Sequence, residues 1–215
     1  AGHGNGNYCY IDHRREARKV LVEGMSGTLL TIAKDVKIQV EFNPAQVAGY
    51  RLIGYENRML AAQDFNDDTK DAGEIGAGHT VTALYELVPA GQSVPVAKMD
   101  ELKYQQPTAT PADHSSELLT LKMRYKQPDE EKSRKLEWPI TDHGAQFSVA
   151  TEDFKFAAAV ASFGMLLRDS PHRGNATWSA VEEIASEGVG PDTHGRRAEF
   201  VHLVRYAKKL AGGED

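Results

Sequence analysis

The residues best suited to chemistry lie between Asp64 and Glu74, where five carboxylates and one lysine occupy a single short stretch. Asp64, Asn66 and Asp68 stand at positions 1, 3 and 5 of a calcium-binding loop, a spacing that would offer a hard cation several oxygen ligands. Thr69 takes the position where such loops use glycine for a sharp turn, and Ile75 takes the position of the bidentate glutamate. The match is therefore partial. A solvated turn, whose side chains accept from their own backbone, stands beside the Ca²⁺ reading. His79 is the neighbouring residue that a metal-dependent binder or enzyme would recruit.

Other catalytic patterns are weaker. The eight histidines are scattered, without the His-x-x-x-His or Cys-x-x-Cys spacing of a zinc site. Asp113-His114 and Asp142-His143 fall in expected loops. Ser26, in Gly24-Met-Ser-Gly-Thr28, lacks the last glycine of a nucleophile elbow and lies on an expected helix. Gly2-His-Gly-Asn-Gly6 precedes a strand, whereas a dinucleotide loop follows one. Tyr50, Tyr55, Tyr85, Tyr104 and Tyr125 are expected to pack with rings buried and hydroxyls wet. Cys9, between two tyrosines, is expected to be a small buried hydrophobe.

Two kinds of periodicity must position these residues. Tyr8 to Ile11 suits a strand, Asp12 an N-cap, and Ala17, Val20, Leu21, Met25, Leu29 and Ile32 a helix running to about Ala33. From Asp35 the period becomes two. Val36, Ile38, Val40 and Phe42 alternate with Lys37, Gln39 and Glu41, which predicts strands near 35–43, 49–57, 78–88, 117–126 and 135–140 in an antiparallel sheet with one wet face. The proline-bearing stretch 89–116 reads as a long surface excursion. From Thr151 the pattern is helical again. One helix is capped by Thr151 and buries Phe154, Ala157, Ala158, Ala161, Met165 and Leu166. A second starts near Asn175 or Thr177, with Trp178, Val181 and Ile184 inward. A third starts near Gly195, with Phe200, Val201, Val204, Ala207 and Leu210 inward. The fold class is α+β: a β-sandwich-like domain over 34–145 and a three-helix segment over 151–211, preceded by residues 1–33.

Composition bounds the partners. With 215 residues, 40% of them apolar and 26% charged, the chain is expected to fold around its own core. A net charge of -6 argues against nucleic acid and anionic membranes as partners, and no apolar run is long enough to span a bilayer. One cysteine leaves the redox compartment open. The chain starts at Ala1 and is read as a fragment.

Six runs carry a family resemblance: Gly4-Asn-Gly-Asn-Tyr-Cys-Tyr-Ile-Asp12, Glu16-Ala-Arg-Lys-Val-Leu-Val22, Ala33-Lys-Asp-Val-Lys-Ile-Gln-Val-Glu-Phe-Asn-Pro44, Tyr50-Arg-Leu-Ile-Gly-Tyr-Glu-Asn-Arg58, the acidic stretch from Asp64 to Glu86, and Phe154 to Asp169. Together they resemble the bacterial YfbK-like proteins, in which a von Willebrand factor type A domain is joined to a C-terminal domain of unknown function. The resemblance implies that residues 1–33 are the last strand and helix of a type A domain and that the rest is the appended domain. Type A domains hold Mg²⁺ with an Asp-x-Ser-x-Ser motif. The nearest string, Asp113-His-Ser-Ser-Glu117, does not match it, so Mg²⁺ is expected only in the type A domain and no cofactor here.

The expectation is a non-enzymatic protein-interaction or scaffolding module with an unknown protein partner. By resemblance it belongs to the bacterial cell envelope, periplasmic or lipid-anchored as in a lipoprotein. The alternative is a divalent-metal-dependent binder or enzyme built on residues 64–74. A third expectation is that the front strand and helix, parted from their sheet, drive dimerisation of the fragment.

Overall fold

The computed structural model describes residues 9–25, 27, 30–54, 59–94 and 116–212. Two compact units divide between Asp142 and His143. Antiparallel sheets fill the first and helices the second, which makes the fold α+β.

The first unit carries strands β1 (Thr31–Phe42), β2 (Val47–Ile53), β3 (Gly73–Gly76), β4 (Leu84–Pro89), β5 (Glu117–Lys126) and β6 (Arg134–Thr141). Four of them form a sheet in the order β3-β1-β5-β6, and β2 with β4 makes a separate two-stranded ribbon. The second layer of the expected sandwich is thus only a ribbon. It meets the larger sheet at Phe42, whose ring lies 4.4 Å from Tyr50 and 5.3 Å from Tyr85.

Several boundaries differ from expectation. The front helix is interrupted: α1 spans Arg14–Arg18 and continues as one π-type turn to Glu23, Gly24 breaks it, and Met25 and Gly27 are helical again. Thr31 and Ile32, read as helical, belong to β1, where Thr31 pairs with Gly76 and Ala33 with Ile75. His13, not Asp12, caps α1 by accepting from the Glu16 N–H at 3.1 Å. Cys9 to Asp12 form no strand, because no other described strand pairs with them, and Cys9 is exposed rather than buried. The strand expected at 78–88 begins only at Leu84, since a turn closed by the His79 N–H on the Gly76 carbonyl, with Gly78 at φ 82°, interrupts it. Ser26, Tyr55, Tyr104, Asp113 and His114 lie outside the described residues, as do 95–115 of the expected excursion.

The second unit packs α2 (Glu152–Leu167), α3 (Trp178–Glu187) and α4 (Arg196–Leu210). Thr151 and Thr177 cap the first two by accepting from the Phe154 and Ala180 N–H groups, at 3.2 Å and 3.1 Å. Gly195 precedes α4 in the left-handed region, and the Asp192 carboxylate takes over the capping, accepting from the Arg196 and Ala198 N–H groups at 2.9 Å each. The core side of α2 is partly the expected one: Met165 is buried and Leu166 packs against the core, as expected, but the rest of the face differs. Phe156, Ala159 and Phe163 face α3 and α4, while Phe154 is exposed and only touches Phe147 edge-on. Both sides of α2 are apolar, so periodicity alone could not choose between them. Leu210, expected inward, is also exposed.

Gly188, just after α3, is fixed by close approach. A Cβ there would lie 2.6 Å from the Phe156 amide nitrogen and 2.9 Å from the Glu152 carbonyl, both backbone atoms that cannot swing away. Gly188→Ala is expected to cost about 1–3 kcal/mol, as overpacking does, measurable by urea denaturation. An unchanged midpoint would contradict this packing.

Candidate functional site

The four-stranded sheet has two unlike faces, and strand pairing shows how they arise. Ile38, Val40 and Phe42 of β1 stand opposite Met123, Leu121 and Leu119 of β5, which in turn oppose Leu136, Trp138 and Ile140 of β6. Alternate residues of a strand point to opposite sides, so these nine apolar residues form three rows on one face. Lys37, Arg124, Lys122 and Glu137 fall on the other.

The acidic stretch folds over the polar face and is anchored there by cations. Its first turn, a 3₁₀ segment over Ala62–Asn66, buries Phe65. The Arg124 guanidinium lies 5.9 Å from the centre of that ring, donates to Asn66 Oδ1 at 3.2 Å and to Ser133 Oγ at 2.7 Å. Lys37, only 4% exposed, donates through Nζ to the Asp64 carbonyl at 3.3 Å and to the Asp67 carbonyl. Lys126, 7% exposed, donates to the Asp68 carbonyl at 2.9 Å and pairs with the Asp35 carboxylate at 2.7 Å. Buried ammonium groups need such partners, since an unsatisfied buried charge is strongly unfavourable.

Asp35 owes its reach to a bulge. Lys34 pairs with Lys126 but Lys37 pairs with Arg124, so β1 holds one more residue than β5 across this interval, and the same slip occurs against β3. Asp35 sits within it at φ 50°, in the left-handed region that aspartate tolerates better than most residues. Its carboxylate also accepts from the Ala72 N–H at 3.1 Å, tying down the far end of the loop.

The electrostatics follow this geometry. Burial alone would raise the Asp35 carboxyl, but the hydrogen bonds from Lys126 and the Ala72 N–H together hold it below the ordinary 3.8. The Asp35 carboxylate in turn holds Lys126 above the ordinary 10.5. Asp67 is lowered by the hydroxyl and N–H of Thr69, the Asx turn expected for a loop of this composition. Asp68 is lowered by Ser133, whose N–H donates to Asp68 Oδ2 at 3.3 Å.

Asp64, Asn66 and Asp68 therefore stay close in the fold but turn to different partners. The backbone carbonyl of Asp64 faces Lys37, Asn66 faces Arg124, and Asp68 faces Ser133 and Lys126. Among the described residues no group of three or more His, Cys, Asp or Glu is arranged to hold a metal ion. His79 is held in the turn after β3 by its own N–H. The residues that sequence reading passed over are Asp35, Lys37, Arg124, Lys126 and Ser133. A signal was present: the wet sides of β1 and β5 carry lysine and arginine, opposite in charge to the loop that closes on them.

The apolar face is open over much of its area. Ile38 is 51% exposed and Trp138 41%, with Leu136 and Ile140 also exposed. Single exposed apolar residues are ordinary, but a contiguous set on one sheet face is a feature of interaction sites. No helix of the described residues is long and apolar enough to cross a membrane.

A family model described as "Uncharacterized protein YfbK, C-terminal" matches residues 27–210, most of the chain. The chain belongs to the YfbK C-terminal family. The uncharacterized protein YfbK of Escherichia coli (strain K12) is 44% identical over 205 residues, which is 95% of this chain and 35% of that protein. The chain thus spans about a third of the length of that relative. No solved structure matches it.

Proposed function

We propose that this YfbK C-terminal domain is a non-enzymatic protein-interaction or scaffolding module of a longer bacterial envelope protein. In that protein a von Willebrand factor type A domain would carry the Mg²⁺ site, and the anchoring would be periplasmic or through lipid. The observation that carries the reading is the open apolar face on β1, β5 and β6, with Ile38 and Trp138 near half exposed. The acidic loop supports it from the other side of the sheet, where it works as an internal clamp. The backbone carbonyls of Asp64 and Asp68 accept from the Lys37 and Lys126 ammonium groups and hold the loop to the sheet.

Two tests follow. Full-length protein used as bait in envelope extract should lose its partner about tenfold on Ile38→Asp, with circular dichroism unchanged, and keep it on Asp68→Asn. Recovery unaffected by Ile38→Asp would sink the reading. Separately, Ca²⁺ added to the 215-residue chain should leave its thermal midpoint where it was. A Ca²⁺-dependent rise, abolished by Asp68→Asn, would instead favour a metal-dependent binder at Asp64, Asn66 and Asp68.

A further inference from the structure

Among the described residues strand β6 closes one edge of the four-stranded sheet, and every residue from Arg134 to Ile140 is exposed. An edge of this length presents a row of backbone groups ready to pair with another strand. Which groups point outward is set by Pro139. It stands opposite Thr120 in the β5 ladder and has no N–H to give, so its nitrogen faces away from β5. Residues of the same parity, Lys135 and Glu137, then direct their N–H and C=O groups to the free edge, while Leu136 and Trp138 bond inward.

The sequence of this edge is complementary to itself when reversed. We propose that two copies of the chain pair through β6, antiparallel, about a twofold axis at Leu136. In that register Lys135 of each copy lies opposite Glu137 of the other, twice, in hydrogen-bonded pairs on the polar face. On the apolar face Leu136 meets Leu136, flanked on both sides by Arg134 opposite Trp138, a cation over an aromatic ring. The ladder ends where no donors remain: Pro139 of one copy lies opposite Ser133 of the other, whose N–H is already given to Asp68. Neighbouring registers fail on charge or donors. A centre on Glu137 or on Lys135 sets like charges face to face, and a centre on Trp138 pairs Glu137 with Pro139. The lysine and glutamate now pair within their own strand, so they exchange partners without leaving charge unpaired. Paired this way, the two sheets become one and their apolar faces become continuous, independent of what else that face binds.

The test is sedimentation of the 215-residue chain with three variants. Wild type should dimerise. Glu137→Lys, which sets lysine against lysine twice, should weaken the dimer at least about tenfold, and the double swap Lys135→Glu with Glu137→Lys should restore it to within about threefold. In a Cys9→Ser background, L136C should form a disulfide dimer under mild oxidation, because residues at the axis approach to about 4.5 Å between Cα atoms. I140C should not, since equivalent residues there lie about 27 Å apart along the strands. A chain that stays monomeric at high concentration would overturn the proposal. So would a dimer indifferent to Glu137→Lys, or one that crosslinks at I140C and not at L136C.

Discussion

Phe163→Ala is expected to be the most damaging single truncation in the chain, lowering the stability of the helical unit by about 3–5 kcal/mol. Phe163 is buried where α2, α3 and α4 meet. It packs on Val181 and Val204, both essentially inaccessible, and makes edge-on contacts with Trp178 at 5.8 Å and Phe200 at 5.3 Å. Truncation removes the ring's transfer free energy and the quadrupolar contacts, and leaves a hole that three helices capped at fixed positions cannot easily close. Phe154→Ala on the same helix, exposed and touching only Phe147 among ring partners, should cost far less. Urea denaturation followed at 222 nm separates the two. Equal costs would mean that α2 is rotated from the orientation described.

The second large effect is at the clamp. Asp35→Ala removes the acceptor for both Lys126 and the Ala72 N–H and places a Cβ-bearing residue without a polar side chain at φ 50°. The carboxylate is a fifth exposed, so solvent screens part of the ion pair, and the expected loss is about 2–3 kcal/mol. Asp35→Asn, which keeps the left-handed preference and one acceptor, should lose less. Hydrogen exchange at residues 64–72 should quicken in both. The pH dependence has a definite sign. Asp35, Asp67 and Asp68 have pKa values lowered from 3.8 by folding, so their contribution is complete above about pH 4 and is lost as pH falls through the lowered values. Lys126 has its value raised from 10.5, so its contribution is complete below that pH and is lost only as pH rises through the raised value. Loop protection should therefore be flat across neutral pH and fail in acid. Failure beginning near pH 6 would point to a histidine instead.

The strands that alternate cleanly were legible in the sequence. Ile38, Val40 and Phe42 on β1 and Glu117 to Lys126 on β5 appear where period two places them, because a two-faced sheet imposes that period. Thr151 and Thr177 cap their helices for the reason their chemistry suggests. What stayed hidden depended on distant partners. Period two identifies two faces but does not say which is covered, and here the wet side of β1 lies under the acidic loop while the apolar side is half open. The calcium-like spacing of Asp64, Asn66 and Asp68 fixes sequence separation only. Two lysines more than twenty residues away in sequence decide where the loop's carbonyls point. The bulge at Asp35 is invisible to periodicity because one extra residue shifts the pattern without erasing it.

In the proposed function the apolar face of the sheet binds the partner and the face under the acidic loop is structural. Adjacent residues of β1 test this directly, because they point to opposite faces. A photoreactive amino acid placed at Ile38 in the full-length protein should crosslink a specific partner on irradiation in cells, and the same group at Gln39 should not. Crosslinking from Gln39 with none from Ile38 would put the binding surface on the face covered by the acidic loop and contradict the account.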